Sequence, residues 1–181
     1  MKSYQAGLAT FALAALGFCG ACTNASKSPD ISDSIRKSLD QPNFKDVSVS
    51  QDRDKGIVTL GGHVATDSDK GQAESIAKSL AGSEVVADQI AVLPPGDQSV
   101  AKDVNADLDK GIDHNLDAAF VQNGLKHGVS HSVKNGVVTL TGEVRSQNRR
   151  AQAQTVAASV PNVRQVVNEL QVKNQKATST N

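Results

Sequence analysis

The sequence repeats itself at a fixed spacing of 80 residues. The segment 56–64 (GIVTLGGHV) aligns with 136–144 (GVVTLTGEV), and the same register continues without a gap to positions 92 and 172. A match over 37 positions indicates that one fold unit occurs twice, so the 181 residues form two small domains. Any chemistry must then be shared by both copies or belong to one of them.

Each copy carries the apolar pattern of a mixed helix and strand module. In the first copy Ile31, Ile35 and Leu39 recur every four residues, as on one side of a short helix. Alternating residues around 47–49 and 57–64 predict two strands joined by a turn at 52–56. A second helix follows, capped by Thr66 with Asp69 and ending at Gly82. Its predicted buried residues are Ala73, Ile76, Ala77 and Leu80. The inward residues of the third strand are Val86, Ile90 and Val92.

The predicted fold class is α+β, with two tandem αββαβ modules. A right-handed crossover would place both helices of a module on one face of a three-stranded sheet. Gly62, on the inward side of the second strand, is expected to let a helix approach the backbone closely. The second copy opens with a longer apolar stripe, from Val100 through Val104, Leu108 and Ile112 to Leu116. The predicted organisation is signal peptide 1–22, tether 23–29, first domain 30–93, linker 94–99, second domain 100–173 and disordered tail 174–181.

The hairpin and the last strand of the repeat resemble the BON domain, a small module of bacterial envelope and osmotic-stress proteins. The carrying segments are 136–142 (GVVTLTG) and 166–172 (VVNELQV), and the resemblance covers nearly all of the chain after residue 22. It implies a double-BON lipoprotein that supports outer-membrane integrity, in which one domain docks on anionic phospholipid. The resemblance also points to the first helix of the second domain as the lipid-facing element.

That helix is acidic in this chain. It carries five aspartates against Lys102 and Lys110: Asp103, Asp107, Asp109, Asp113 and Asp117. Because such a face repels anionic head groups, the family's lipid-facing positions are not carried over to it.

The first 22 residues predict export. Lys2 precedes an apolar run over 8–18 that is short for a membrane span and ends in Cys19-Gly20-Ala21-Cys22. The ending resembles a lipoprotein processing site with Cys22 as the lipidated residue, and Thr23 after it favours the outer membrane by the same resemblance. The alternative is cleavage nearby, for example after Ala25, which would release a soluble periplasmic protein.

Composition excludes several other function classes. The net charge is zero, and the part of the chain after the signal has only two aromatic residues, Phe44 and Phe120. Nucleic-acid partners are therefore not expected, because stacking platforms are missing and a net charge of zero gives no overall attraction to a polyanion. Phe120 is expected in the core; the alternative is that Ala119, Phe120, Val121 and Leu125 enter a membrane interface. Both cysteines lie before residue 23, so no disulfide is expected in the folded part.

No enzymatic, cofactor or metal site is predicted. His127 and His131 are four residues apart on a predicted strand, where that spacing is about 13 Å. Asp88 and its counterpart Asn168 share the inward side of the third strand, and a buried polar group must be hydrogen-bonded. We expect both to bond a neighbouring loop backbone.

The copies differ most in charge. Residues 26–96 hold 8 basic and 11 acidic residues, a net charge of −3, whereas residues 134–181 hold 7 and 2, a net charge of +5. The excess includes Arg145, Arg149 and Arg150 at a predicted helix start near Ser146, where acidic residues are usual. Guanidinium groups and free helix amides suit phosphate, so these four residues are the candidate phospholipid site. The alternative is a solvated basic face.

Three functions follow from this pattern. The first is a non-enzymatic envelope protein, lipid-anchored or periplasmic, whose modules bind membrane phospholipid or another envelope protein. The second is a protein–protein adaptor for which lipid is only the anchor. The third is a soluble osmotic-stress or small-ion-binding protein, which is favoured if Cys22 is not acylated. The sequence leaves the oligomeric state open.

Overall fold

The computed structural model describes residues 27–96 and 98–173. The predicted signal peptide with Cys22, most of the tether and the tail 174–181 lie outside these ranges. Within them, no helix is both long enough and apolar enough to cross a bilayer.

Each repeat forms the predicted αββαβ module. The first contains α1 (Ser32–Ser38), the 3₁₀ turn η1 (Pro42–Phe44), β1 (Val47–Asp52), β2 (Ile57–Val64), α2 (Asp67–Ala81), β3 (Val85–Asp88) and β4 (Ala91–Val92). The second contains α3 (Gln98–Gln122), β5 (Ser130–Lys134), β6 (Val137–Thr141), β7 (Glu143–Val144), α4 (Gln147–Ala158), β8 (Gln165–Asn168) and β9 (Gln171–Val172).

The sheets have the predicted topology. β1 pairs antiparallel with β2, and β2 pairs parallel with β3 and, further along, with β4. β5, β6 and β8 repeat this arrangement, and the parallel pair β7 and β9 extends it. The parallel pairs are joined by α2 and α4, so each module is a helical crossover with a preceding helix and strand.

Each module has its own core between its helices and the inner face of its sheet. In the first, Val58 and Leu60 of β2 are fully buried with Ile35 of α1 and Ala73 of α2. In the second, the counterparts Val138 and Leu140 pack with Leu116 of α3. Phe44 and Phe120 are each 1% exposed, so both are core residues, as expected for Phe120.

Two details of the predicted packing are wrong. Leu80 is 38% exposed, and Ala81 takes its place in the core at the end of α2. The close neighbour of Gly62 is not a helix but the carbonyl oxygen of Asp46, which a Cβ would meet at 1.9 Å. The residue also has a φ of +87°, so this position of β2, opposite the start of β1, requires glycine for two reasons.

The two hairpins differ in their turns. The first joins Asp52 to Ile57, while the second joins Lys134 to Val137 through only Asn135 and Gly136. Asn135 and Gly136 have φ of 49° and 76°, as a tight turn with the twist of the flanking strands requires.

The two modules also contact one another. Ile57 and Ala87, on the outer face of the first sheet, form a buried cluster with Val137 and Val167 of the second. Nearby, the Gln165 side chain donates from Nε2 to the Val86 carbonyl at 2.7 Å and accepts the Asp88 N–H at 3.1 Å. It thereby bonds two backbone groups of β3.

The contact between the modules is an approximate two-fold pairing. Residues 57 and 137 are equivalent in the repeat, as are 87 and 167. Lys55 pairs with Glu169 across the contact, and their counterparts also meet, because the Asn135 amide donates to the Gln89 carbonyl at 2.7 Å. Equivalent residues therefore bind each other reciprocally, as in a symmetric dimer.

Candidate functional site

A cationic groove of about 350 Å³ opens on the second module. We define the cationic groove by its charged or titratable lining residues: His127, Glu143, Arg145, Arg149 and Lys173. The loop after α3, strand β7, the start of α4 and the end of β9 bring them together. The parallel pairing of β7 with β9 explains why Lys173 lies near Glu143, although 30 positions separate them.

Of the predicted arginines, the structure brings Arg145 and Arg149 together in this groove. Arg145 is exposed, whereas Arg149 is half-buried and donates from Nη2 to the Gly124 carbonyl, which holds the loop after α3 against α4. Glu143 lies 2.8 Å from Lys173, which partly neutralises the groove. A net positive charge remains on its walls.

Ser146 and Arg150 have structural roles instead. Ser146 caps α4, because its hydroxyl accepts the Arg149 N–H at 3.3 Å, so this amide is no longer available to a ligand. Arg150 lies outside the groove and donates from Nη2 to the Asn168 carbonyl at 3.1 Å. The Arg150 Nε is buried and has no hydrogen-bond partner among residues 27–96 and 98–173.

Three of the charged or titratable residues that line the cationic groove were not predicted from the sequence: Lys173, Glu143 and His127. A signal for Lys173 is available, since the repeat predicts the parallel pairing that places the end of the last strand beside the start of α4. His127 lies in the second of two glycine-containing turns after α3, and no local pattern fixes where it lies.

The first module differs from the second at the groove positions. Position 65 is alanine and position 69 is aspartate, where the second module has Arg145 and Arg149. Thr66 caps α2 as predicted: its hydroxyl accepts the Asp69 N–H at 3.1 Å and lies 2.7 Å from the Asp69 carboxylate. These bonds, with that of the Asn43 amide, lower the pKa of Asp69.

Asp88 and Asn168 make the predicted bonds to backbone. The Asp88 carboxylate accepts the Ile90 N–H at 3.1 Å, and the Asn168 side chain accepts the Leu170 N–H at 3.2 Å. Burial raises the pKa of Asp88 in spite of the Lys70 ammonium 3.6 Å away. Asp88 thus holds the backbone between β3 and β4, and Asn168 holds the backbone between β8 and β9, which is a structural role.

The described histidines do not form a ligand set. His131 lies 3.1 Å from Asp113 and packs edge-on against Phe120, while His127 is on the groove loop. Within the two described ranges, no three His, Cys, Asp or Glu residues are placed to hold a metal ion.

The fold defines a class of protein built from two tandem αββαβ modules. The family model for the BON domain matches residues 28–94 and 97–174, so the chain belongs to the BON-domain family. It is also similar to osmotically-inducible protein Y of Escherichia coli (strain K12), with 28% identity over 137 residues, which are 75% of this chain and 67% of that protein.

Two solved structures of CdsD, a structural protein of the type III secretion system of Chlamydia trachomatis, are also similar. Identity is 16% and the TM-score 0.33 in both cases. The matches cover 80% and 78% of this chain but only 66% and 61% of those chains. At such scores the likeness carries no functional argument.

Proposed function

We propose that this chain is a non-enzymatic envelope protein of the osmotic stress response whose second module binds anionic phospholipid head groups in the cationic groove. One observation carries the proposal: Arg145, Arg149 and Lys173 converge on one concave surface of the second module. The equivalent positions in the first module are Ala65, Asp69 and Leu93. The similar osmotically-inducible protein supports the link to osmotic stress.

The chemistry of the groove suits a phosphate diester. Guanidinium groups form charge-assisted bonds to phosphate oxygens, and an ammonium adds a further point charge. The binding is electrostatic, so it should weaken as salt rises. The acidic helix α3 is a poor competitor for the same lipid, because its exposed carboxylates repel the head group.

Export and anchoring through Cys22 complete the proposal. The free tether is short, because the Ser28 N–H donates to the Arg53 carbonyl at 2.9 Å and the Ser28 carbonyl in turn accepts Arg53 Nε at 2.7 Å. Residues 23–27 alone then separate the first module from the lipid, a span of roughly 17 Å at 3.3 Å per residue. An acylated chain would therefore hold both modules near the outer membrane.

Vesicle flotation tests the lipid site. The protein should float with phosphatidylglycerol vesicles and much less with phosphatidylcholine vesicles. Arg145→Gln with Arg149→Gln should abolish the difference, whereas Arg36→Gln with Lys37→Gln, a matched loss of two charges in the first module, should not. Circular dichroism and the Arg149→Lys variant, which keeps the charge, separate lost binding from a loosened α3–β5 loop.

Binding that is unchanged in the double arginine variant would overturn the lipid proposal and favour the adaptor function. Fractionation of wild type against Cys22→Ala tests the anchor separately. Loss of the membrane fraction only in Cys22→Ala supports acylation, and an equal distribution of the two proteins would indicate the soluble osmotic-stress form.

A further inference from the structure

A second groove, of about 340 Å³, lies where the two modules meet. We call it the interdomain groove and define it by one residue from each wall: Val92 of β4, Leu108 of α3, Asn135 of the β5–β6 turn and Arg164 before β8. Its accessible apolar side chains are Leu108, which is 47% exposed, and the half-buried Val92, whereas Ile90 and Ile112 lie almost fully buried beneath them. Concave sites of this size at domain boundaries are where small ligands usually bind.

The groove exists because α3 continues past its own core. The C-terminal half of α3 packs on the second sheet, and its N-terminal half extends beside β4 of the first module. Asp109 fixes this extension, because its carboxylate accepts the N–H groups of Asn135 and Gly136 at 2.7 and 2.8 Å. The Asp109 charge is therefore engaged by the protein itself.

Three other polar side chains on the groove are unengaged. Asn105, Asn162 and Arg164 line it, and across residues 27–96 and 98–173 their side chains form no hydrogen bond or ion pair. Arg164 extends over Gly136, where its Cγ lies 3.1 Å from the point that a Cβ at position 136 would occupy. One guanidinium and two carboxamides thus line the groove together with the apolar side chains of Leu108 and Val92.

The two-fold pairing provides an internal comparison. Its other end carries a groove between the first hairpin turn and β9, lined by Asp54, Lys55, Arg150 and Glu169. Lys55 and Glu169 pair with each other there, and Arg150 already donates to the Asn168 carbonyl. Apolar side chains line both grooves, here Ile57, Leu170 and Val172, but of the two only the interdomain groove holds a guanidinium that has no partner among the described residues.

We infer that the interdomain groove binds a small carboxylate with an aliphatic substituent, of the size of an N-acylated amino acid. The Arg164 guanidinium matches a carboxylate in a two-bond geometry, and the carboxamides of Asn105 and Asn162 can bond an acyl amide. Leu108 and Val92 contact the aliphatic part. The volume of about 340 Å³ lies at the small end of the roughly 300–1,000 Å³ typical of ligand sites, which suits a ligand of about a dozen heavy atoms. This site is independent of the cationic groove.

Nuclear magnetic resonance titration of the isotopically labelled protein with N-acetyl-leucine tests the site. N-acetyl-leucinamide, which lacks the carboxylate, is the matched control ligand. We expect saturable shifts at the side-chain amides of Asn105 and Asn162 and at Leu108, and binding of the amide that is at least about tenfold weaker. Arg164→Gln should weaken acid binding to the same extent.

Arg145→Gln is the control variant, since it removes an exposed arginine of the same module outside this groove. It should leave the titration unchanged and affect only lipid flotation, so failure of one site is distinguishable from failure of the other. Absence of saturable shifts, equal binding of the acid and the amide, or unaltered binding by a folded Arg164→Gln protein would each overturn the inference.

Discussion

The first helices of the two modules differ in length more than any other equivalent elements. α1 has 7 residues and buries Ile35, whereas α3 has 25 residues and buries its apolar stripe only from Ile112 onward. Val100, Val104 and Leu108 are 61%, 52% and 47% exposed. The shared fold therefore needs only the short helix, and the added turns of α3 form the roof of the interdomain groove.

The second helices of the two modules, α2 and α4, differ in the charge of their first turns. α2 begins with Thr66 and acidic residues, which favour a helix N-terminus, while α4 begins with Ser146 and arginines, which do not. The cap is kept in both modules and only the surrounding charges change. Divergence after duplication has thus altered the surface of the second module and kept its framework.

The largest expected effect tests whether both modules require glycine at the equivalent positions 62 and 142. Gly62→Ala should lower the free energy of unfolding by about 3 kcal/mol or more, because a Cβ would overlap the Asp46 carbonyl at positive φ. Gly142→Ala should cost less, since its nearest oxygen, of Gly128, lies 2.6 Å from the added Cβ. Urea unfolding measures both, and Gly71→Ala, in open space on α2, should stabilise slightly.

Asp88 and Asn168 allow a sharper comparison. Asp88→Ala should cost about 1–3 kcal/mol, because the Ile90 N–H would be left buried without its acceptor. Transplanting the second module's pair, with Lys70→Arg and Asp88→Asn, should change stability by less than about 1 kcal/mol. A large loss in this double variant would show that the two pairs are not interchangeable.

The same site should respond to pH with a defined sign. Burial raises the pKa of Asp88, so the folded chain binds this proton more tightly than the unfolded chain. Its contribution is fully present below the ordinary carboxyl pKa and is lost as pH rises through the raised value. The stability of wild type relative to Asp88→Asn, followed by urea unfolding, should therefore fall as pH rises from about 4.

The contact between the modules is tested by a smaller effect. Gln165→Ala removes two bonds to β3 and should cost about 1–2 kcal/mol. Its counterpart Val85 is 47% exposed, so Val85→Ala should cost much less. Amide hydrogen exchange should report faster exchange at Asp88 in the first variant only.

Lys55→Gln should have the smallest effect. The Glu169 carboxylate raises the pKa of Lys55, but the lysine side chain is 47% exposed and solvent screens the pair. A loss of about 0.5 kcal/mol or less in urea unfolding is expected, and it should vanish in high salt. A loss above about 2 kcal/mol, well beyond what exposed ion pairs contribute, would show that this pair dominates the contact between the modules.

Inward positions are predictable because they repeat. Val58, Leu60 and their partners at 138 and 140 lie where the alternation predicts, and the caps at Thr66 and Ser146 follow from local hydrogen bonding. The prediction fails at Leu80 because Leu80 and Ala81 both fall near the expected stripe. The final helical turn places Ala81 inward and leaves Leu80 half-exposed.

The contact between the modules is harder to predict. Ile57 and Val137 each precede an inward residue, so both sheet faces are apolar at this point, and that signal is present in the sequence. The relative placement of the modules, which brings Val92 of the first beside Leu108 and Arg164 of the second, has no such signal. The sequence places Arg150 beside Arg149 and so predicts a shared site. On α4, however, Arg150 lies on the side that faces the Asn168 carbonyl and not on the side of the cationic groove.

Gln165 has a consequence beyond the pairing of the modules. β3 is an edge strand of its sheet. The Gln165 side chain bonds its Val86 carbonyl and its Asp88 N–H, two groups to which a strand of another chain could otherwise bind. An exposed edge strand is a template for pairing with another chain. Gln165 of the second module therefore occupies two backbone groups through which β3 of the first could hydrogen-bond a strand of another molecule.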